Sequence, residues 1–364
     1  MIEKVFVNEI MGIPFSSLVV GLLISIILGY PAMLLAKRFN LIDIPGSASH
    51  KTHAYPTPLA GGILLAATLV ITALLFRQFL RSEILVAFSG AAVVFLFGAW
   101  DDYKGLAARP KLVGQFLAAI VLIFFGVQVR FMTFFSDAEQ ISPFVAQTLN
   151  ILITLFWVIG VTNAMNMIDS MDGIVAGLGV IAFSCFFGAT QLAHQSALTV
   201  WSAVLLGICA GLYFWNKIAS KFFLGDSGAQ TIGFLLASFG IMYNPLNRSP
   251  ETSWIVPIML LGVPIFDTTL VVLSRFKRRQ AIGSGRRDHT YHRLIALGFS
   301  PKYSVFITHL AAFVISCLAF LTLYLPPFSA IIFFLLTILF GLITLLWLER
   351  KPALDNLVEG KNSE

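Results

Sequence analysis

The stretch Asn163-Ala-Met-Asn166-Met-Ile-Asp169-Ser-Met-Asp172-Gly173 places two carboxylates and two carboxamides between two long apolar runs. Each flanking run is long enough to cross a bilayer as a helix. Charged side chains at membrane depth are costly, so their presence there needs a reason. Asn166, Asp169 and Asp172 are spaced by three and would share one face if the segment were helical. This stripe predicts a cation or phosphate site, and the alternative is a polar loop between spans.

The composition is that of an integral membrane protein. Of 364 residues, 58% are hydrophobic and 12% are charged, and the mean hydropathy is +0.87. A water-soluble domain is excluded, and an all-α polytopic membrane protein is predicted. Eleven runs are long enough to span the bilayer: 14–36, 58–76, 84–100, 112–129, 144–161, 174–192, 197–215, 229–243, 254–274, 303–325 and 329–348.

Neither an internal repeat nor a soluble domain is visible, so one integral membrane domain over residues 1–364 is expected. Within it we expect a cytoplasmic basic and histidine-containing loop at 275–302 and a short polar tail at 350–364. Most of the 24 Lys and Arg residues fall on one set of alternate loops. By the positive-inside rule, the N-terminus lies outside and the C-terminus lies in the cytoplasm. All the polar motifs then fall on the cytoplasmic side.

An acidic pair, Asp101-Asp102, ends the third run and is followed by Lys104, Arg109 and Lys111. Adjacent carboxylates point in different directions from a helix end, so one can bind metal while the other accepts a proton. Acidic residues at a helix C-terminus oppose the helix dipole. The pair is therefore predicted to be present for function and not for stability, with a solvated helix terminus as the alternative.

Gly225-Asp226-Ser227-Gly228 precedes the eighth run. Asp226 is a candidate N-cap, and the backbone amides at a helix start favour phosphate. The flanking glycines are predicted to let a ligand approach the backbone closely.

The segment Arg286-Arg287-Asp288-His289-Thr-Tyr-His292-Arg293 combines imidazoles and guanidiniums, which suit a diphosphate. His289 and His292 would share a helical face, with Arg293 close by. The preceding basic run, 275–279, is equally explained by membrane orientation and contact with anionic lipid.

Two further polar features of the sequence each have two interpretations. Lys51 and His53 lie before the Pro56-Thr-Pro58 corner and Gly61-Gly62, where a structural role and a ligand role are both open. Asp267 lies within the ninth run, so it is either functional or a buried partner of a basic residue.

Together these motifs resemble the polyprenyl-phosphate N-acetylhexosamine-1-phosphate transferases. This family includes the first membrane enzymes of peptidoglycan, teichoic-acid and O-antigen synthesis. The resemblance runs from Asp43 to about Ser300 and keeps five motifs in one order. Eleven spans resemble the branch that transfers simple sugar phosphates, whereas the muramoyl-pentapeptide branch usually has ten.

The resemblance implies roles for individual residues. Asp226 and Asn166 would help to hold Mg²⁺, for which Mn²⁺ can substitute, and Asp172 would lie near the uracil. Asp101 and Asp102 match an acidic pair that activates the lipid phosphate, and Asp169 is the third candidate catalytic carboxylate. The complete predicted substrate-binding set is Asp172, Lys111, Lys51, His53, Arg286, Arg287, His289, His292 and Arg293.

The sequence departs from the family pattern at two points. The usual His-x-His-His motif here reads His289-Thr290-Tyr291-His292, and the acidic residue that some relatives carry after the aspartate pair is replaced by Tyr103-Lys104-Gly105. Both departures bear on the identity of the sugar more than on the reaction class.

The resulting hypothesis is transfer of a sugar-1-phosphate, most commonly GlcNAc-1-phosphate, from a UDP-sugar to undecaprenyl or another polyprenyl phosphate, with release of UMP. The expected location is the cytoplasmic face of a bacterial inner membrane, with membrane lipids as partners, no nucleic acid, and a homodimer left open. The alternatives are a muramoyl-pentapeptide phosphotransferase and, from another class, a secondary transporter or lipid flippase.

Overall fold

The computed structural model describes residues 2–46, 55–132, 140–245, 250–281 and 288–351. Two short strands, β1 (Ile42–Asp43) and β2 (Thr57–Pro58), pair antiparallel. The helices are α1 (Ile2–Arg38), α2 (Gly61–Leu75), α3 (Ser82–Lys104), α4 (Ala108–Phe124), α5 (Pro143–Ile168), α6 (Ile174–Leu192), α7 (Ser196–Tyr213), α8 (Gly225–Met242), α9 (Pro250–Ser253), α10 (Ile255–Leu260), α11 (Gly262–Lys277), α12 (Thr290–Ala296), α13 (Pro301–Thr322) and α14 (Pro327–Glu349).

Each of the eleven predicted apolar runs coincides with helix in the structure. The prediction of an all-α polytopic membrane protein is confirmed, while the number of spans and their orientation stay predictions. Within the described residues, seven helices are long and apolar enough to cross a membrane. They are Gly12–Arg38, Ser82–Lys104, Pro143–Ile168, Ile174–Leu192, Ser196–Ile218, Pro301–Thr322 and Pro327–Glu349.

The outer helices expose large apolar side chains. Phe124 and Phe156 are each 80% exposed, and Phe340 is 72% exposed. In water such a surface would drive aggregation, but in a bilayer the lipid tails cover it at no hydrophobic cost. The exposed apolar surface therefore belongs to a protein that sits in lipid.

Helix α8 lies at the centre of the bundle. Its residues from Ser227 to Gly240 are all buried, and it packs against α2, α3 and α5. Close approach depends on glycine. A Cβ added at Gly62 would lie 2.1 Å from Ser227 Oγ, and one added at Gly98 would lie 2.5 Å from Ser227 Cα. Small residues thus bring α2 and α3 directly onto the first turn of α8.

The chain before α2 is tied to the chain before α8. Leu59 forms a parallel bridge with Phe223, and the backbone N–H groups of Ala60 and Gly61 both donate to the carbonyl of Phe223. Two of the sequence motifs therefore begin side by side at one end of the bundle.

The structure differs from the sequence prediction in the ninth run and in the loop that follows. The ninth run is divided into α10 and α11 at Leu261, because Pro264 has no N–H to continue the helical bonding. The loop predicted at 275–302 is partly helical, since α11 continues to Lys277 and α12 lies within it.

Candidate active site

The C-terminal ends of α3 and α5 and the N-terminal ends of α4 and α8 meet at one end of the bundle. Lys111 Nζ contacts the carboxylates of both Asp101 and Asp226. Asn166 Nδ2 lies 3.5 Å from Asp226 Oδ2. Four predicted site residues, one from each of four helices, are thus connected through Lys111 and Asp226.

Asp102 has a different environment from its neighbour Asp101. Its Oδ1 accepts the backbone N–H of Asp226 at 2.7 Å, and its Oδ2 accepts the backbone N–H of Ser227 at 3.2 Å and the Ser227 hydroxyl at 2.5 Å. Asp102 therefore caps the positive end of α8. The acidic pair does diverge, as predicted, but the expectation that it has no stabilising role is wrong for Asp102.

The glycines around Asp226 serve packing inside the protein. A Cβ at Gly225 would lie 2.7 Å from Asp102 Oδ2, and one at Gly228 would lie 3.1 Å from the backbone nitrogen of Gly62. Gly225 also adopts a φ of +73°. The predicted close approach is therefore made by the protein's own groups. Asp226 is not the N-cap either, because α8 begins at Gly225.

The segment after α5 is a turn. Helix α5 ends at Ile168, and Gly173 adopts a left-handed φ of +85°. Asp169 and Asp172 therefore do not share a helical face as predicted. Burial raises the pKa of Asp169 well above its usual value, and nearby carboxylates raise it further: those of Asp226, Asp172 and Asp102.

We use the name acid cluster for Asp101, Asp102, Asp169 and Asp226 together with Lys111 and Asn166. The cluster holds four carboxyl groups and one ammonium, so acidic groups outnumber the basic one. The Oδ1 atom of Asn166 is buried and has no hydrogen-bond partner. A buried acceptor without a partner is unfavourable unless a bound ligand supplies the missing interaction.

Three amide residues lie beneath the acid cluster: Asn163, which begins the first polar stretch, and Gln115 and Gln230, which were not predicted from the sequence. Gln115 Nε2 donates to Gln230 Oε1 at 3.0 Å, and Asn163 Nδ2 donates to Gln115 Oε1 at 2.6 Å. Gln230 Nε2 in turn lies 3.4 Å from Asp226 Oδ2. We call Gln115, Asn163 and Gln230 the amide floor. Gln115 and Gln230 were detectable in the sequence, since each is a polar residue four positions after a motif residue inside an apolar run.

The second polar region is the histidine element, residues 288–296. His289 Nδ1 lies 2.7 Å from Asp267 Oδ2, and the backbone N–H of Thr290 donates to Asp267 Oδ1 at 2.6 Å. Asp267 is fully buried and accepts a backbone N–H from the first turn of α12. Of the two interpretations of Asp267, the structure supports the buried partner of a basic residue.

Arg293 does not have the position expected of a substrate-binding residue. It is fully buried, and its guanidinium donates to the carbonyls of Leu348 and Lys351 at 2.7 and 3.2 Å and to Ser274 Oγ at 2.8 Å. It therefore satisfies carbonyls at the C-terminal end of α14. The structure gives Arg293 a structural role.

Arg275 and Asp288 form a buried two-bond ion pair, with N–O distances of 2.9 and 2.8 Å. Burial by itself would raise the pKa of Asp288, but the Arg275 guanidinium holds it below its usual value. Asp288 therefore stays ionised, and the pair fixes the start of the histidine element to α11.

Tyr291 joins the two regions. Its ring is fully buried, stacks almost parallel to His289 at 6.0 Å, and lies 4.1 Å from the ring of His292. Its hydroxyl ends beside Ser170, without a hydrogen bond of ordinary geometry. Burial raises the pKa of Tyr291, so its hydroxyl stays protonated at neutral pH.

The remaining predicted residues cannot all be placed. Lys51, His53, Arg286 and Arg287 lie outside the described residues. Their predicted contact with substrate stays a prediction.

Comparison with known proteins gives the family. The sequence profile of glycosyl transferase family 4 matches residues 84–244, which include the acid cluster and the amide floor. A decaprenyl-phosphate N-acetylglucosaminephosphotransferase of Mycobacterium tuberculosis is 31% identical, over 82% of this chain and 81% of its own length. The chain belongs to glycosyl transferase family 4.

Two other relatives of this glycosyl transferase family 4 member carry related names. A probable undecaprenyl-phosphate N-acetylglucosaminyl 1-phosphate transferase of Bacillus subtilis is 29% identical over 82% of both chains. An undecaprenyl-phosphate alpha-N-acetylglucosaminyl 1-phosphate transferase of Escherichia coli is 25% identical over 83% of this chain and 82% of its own. The predicted family is confirmed.

Proposed function

We propose that this protein transfers GlcNAc-1-phosphate from UDP-GlcNAc to a polyprenyl phosphate and releases UMP. The observation that carries the proposal is the contact between Lys111, Asp101, Asn166 and Asp226, which come from four separate helices. The names of three relatives that each match over four-fifths of the chain support the same reaction.

The donor set at the acid cluster fits Mg²⁺. Asp226 offers a carboxylate and Asn166 a buried carbonyl oxygen without a partner, and both are oxygen ligands of the kind that Mg²⁺ prefers. Within the described residues, no group of three or more His, Cys, Asp or Glu side chains forms a metal site. That agrees with Mg²⁺, which keeps several waters and needs few protein ligands when phosphates complete its shell.

When bound, Mg²⁺ would offset the negative charge of the diphosphate as the bond to UMP breaks. Asp226 and Asn166 are the residues that would hold it. Lys111 contacts Asp226 and so lies within reach of a phosphate brought to the same place. A cation that turned from the carboxylates to the diphosphate would further stabilise its charge.

The transfer is proposed as a single in-line displacement. An oxygen of the lipid phosphate attacks the sugar-bearing phosphorus, and a new P–O bond forms. The bond from that phosphorus to the bridging oxygen breaks, and UMP leaves with the oxygen and the electron pair. Both carboxylate oxygens of Asp102 are engaged by α8, and those of Asp101 are engaged by the Leu106 backbone N–H and by Lys111. Asp169 is therefore the better candidate for accepting a proton from the lipid phosphate.

The position of the cluster suits a lipid acceptor. The acid cluster lies at helix ends, so a polyprenyl tail can remain among the apolar helix faces while its phosphate reaches the carboxylates. A transporter would instead be expected to bind its substrate near the bilayer midplane. The positive-inside bias supports a cytoplasmic location in an inner membrane, where soluble UDP-sugars are present.

The test is a transfer assay with purified protein in nanodiscs, undecaprenyl phosphate and separate radiolabelled UDP-GlcNAc, UDP-GalNAc and UDP-MurNAc-pentapeptide. We expect Mg²⁺-dependent label in the lipid extract with UDP-GlcNAc and an equal amount of UMP. Asp226→Asn should abolish both. Glu83→Gln is the matched control, because it makes the same acid-to-amide change on an exposed residue at the other end of α3.

Label only from UDP-MurNAc-pentapeptide would replace the proposed donor and keep the reaction class. No lipid-linked label from any donor, with the protein folded, would overturn the proposal.

A further inference from the structure

The amide floor repeats the acid cluster one helical turn deeper in the bundle. Residues three or four apart lie on the same helical face. The stacked pairs are Lys111 and Gln115 on α4, Asn166 and Asn163 on α5, and Asp226 and Gln230 on α8. Each of three helices thus contributes one residue to the cluster and one amide directly beneath it.

Donor and acceptor roles run in one direction from Gln115 through Gln230 to Asp226. A carboxylate can only accept, so Gln230 must turn its NH₂ group toward Asp226 and its carbonyl toward Gln115. Gln115 must then turn its own NH₂ toward Gln230. Gln115 and Asn163 exchange hydrogen bonds, since Asn163 Nδ2 donates to Gln115 Oε1 at 2.6 Å and Gln115 Nε2 donates to Asn163 Oδ1 at 3.3 Å. Reversing one amide would set two donors or two acceptors against each other.

The floor and the cluster act on the same atom of Asp226. Gln230 Nε2, Asn166 Nδ2 and Lys111 Nζ are all directed at Oδ2. Three donors on one oxygen fix the rotation of the carboxylate about its Cβ–Cγ bond. They engage Oδ2 with protein donors, while the neighbouring Asn166 Oδ1 has no hydrogen-bond partner and can take a ligand.

The alternative is that the amides only hold the helices together. Amides often join helices within a membrane, where an unpaired amide would be costly. Amides that only join helices change stability when removed, and leave a ligand's affinity unchanged. Amides that orient a carboxylate change that affinity even when the fold is retained.

We propose that Gln115 and Gln230 are positioning residues that orient the Asp226 carboxylate for a divalent cation, with Asn163 closing the chain of amides. The inference rests on the proposed function, in which Asp226 binds the cation.

The test is Mn²⁺ binding to the purified protein without donor or lipid, measured by electron paramagnetic resonance. Gln230→Met keeps the length of the side chain and removes its hydrogen bonds. We expect its Mn²⁺ affinity to fall by about tenfold, as for other residues that orient a metal ligand. Gln115→Met does not touch Asp226 and should weaken binding by about threefold, since its effect passes through Gln230.

The double variant tests the order of the chain. If Gln115 acts only through Gln230, Gln115→Met/Gln230→Met should bind Mn²⁺ as Gln230→Met does. A loss equal to the product of the two single losses would overturn that order.

A matched control is available between the same two segments of the chain. Gln128 and Gln147 exchange hydrogen bonds of 3.2 and 3.3 Å, and Gln147 lies toward the other end of α5 from Asn163. Gln147→Met removes an amide pair of the same chemistry away from the cluster. Its Mn²⁺ affinity should equal that of the wild type.

The outcomes separate this inference from the proposed function. If the wild type binds Mn²⁺, Asp226→Asn does not, and both Met variants bind within about twofold of the wild type, the floor only joins helices and the inference is overturned. If the wild type itself binds no Mn²⁺, the proposed cation site fails and the inference fails with it. Should Gln230→Met not fold, the Gln115→Met affinity decides the question by the same threshold.

Discussion

The acid cluster and the histidine element are both rich in ionisable side chains, yet they are built in opposite ways. At the histidine element, Asp288 forms an ion pair with Arg275, and Asp267 lies within hydrogen-bond distance of His289. Arg293 donates to backbone carbonyls. In the acid cluster, Lys111 is shared by two carboxylates, and Asn166 keeps a buried oxygen without a partner.

This difference indicates that the histidine element stabilises the fold and that the acid cluster binds the ligand. A region whose charges are paired internally is held rigid and has little to gain from a ligand. A region that gathers like charges and leaves an acceptor incomplete gains most from a bound cation and phosphate. From the sequence alone, the ionisable residues of both regions were predicted to form the active site.

Asp226→Asn should give the largest effect, because it removes the carboxylate on which the acid cluster converges. We expect UMP release to fall by on the order of a thousandfold, while the unfolding temperature stays at or above that of the wild type because one like charge is removed. Steady-state kinetics measures the rate of UMP release, and thermal unfolding measures the unfolding temperature. A variant that kept more than about a tenth of the activity would show that the cluster is not the reaction site.

Asp288→Asn should act on stability instead. It leaves Arg275 buried without its counter-ion, which costs about 3 to 5 kcal/mol in unfolding free energy. Activity per folded molecule should change little at a permissive temperature. A normal unfolding temperature with lost transfer would reverse the roles assigned to the two regions.

The same pair predicts a pH dependence. The folded-state pKa of Asp288 is lowered, so its stabilisation is complete above the usual carboxyl pKa of about 3.9 and is lost as pH falls below that value. The difference in unfolding temperature between wild type and Asp288→Asn should be constant from about pH 5 to 8 and shrink below about pH 4. A difference that is unchanged at low pH would argue against the ion pair.

Lys111→Met should leave the carboxylates of the acid cluster without their ammonium partner. Without the ammonium, the carboxylates of Asp101 and Asp226 repel each other, and Mg²⁺ has no internal competitor. We expect the rise in unfolding temperature on adding Mg²⁺ to be on the order of 2 °C larger than in the wild type. Lys104→Met, an exposed change at the end of α3, is the control and should match the wild type.

Tyr291→Phe should give the smallest effect. The hydroxyl is buried without a hydrogen bond of ordinary geometry, so its removal should leave the unfolding free energy unchanged or raise it by about 1 kcal/mol. Activity should stay within about twofold. A large loss of transfer would assign the hydroxyl a role beside Ser170 that the geometry does not indicate.

The helices were predictable because apolar run length carries the signal. All eleven runs are helical, and the break at Leu261 follows from Pro264, which could have been read from the sequence. The start of α8 was missed by four residues, since Gly225 and Asp226 are polar although they are helical.

The partners within the site were not predictable. Asp102 caps a helix that begins 123 residues later in the chain, and Arg293 satisfies carbonyls of α14. Such contacts depend on how separated helices pack, which periodicity along one helix does not specify. The local signal of Gln115 and Gln230, four residues after Lys111 and Asp226, was present in the sequence and was overlooked.

The most direct test of the central claim is anomalous diffraction from crystals of the protein grown with Mn²⁺ and UDP-GlcNAc. We expect one strong manganese peak against the side chains of Asp226 and Asn166, with the diphosphate beside it and Lys111. A peak elsewhere, or a diphosphate held by Arg275 and Arg293 with the acid cluster unchanged, would contradict it.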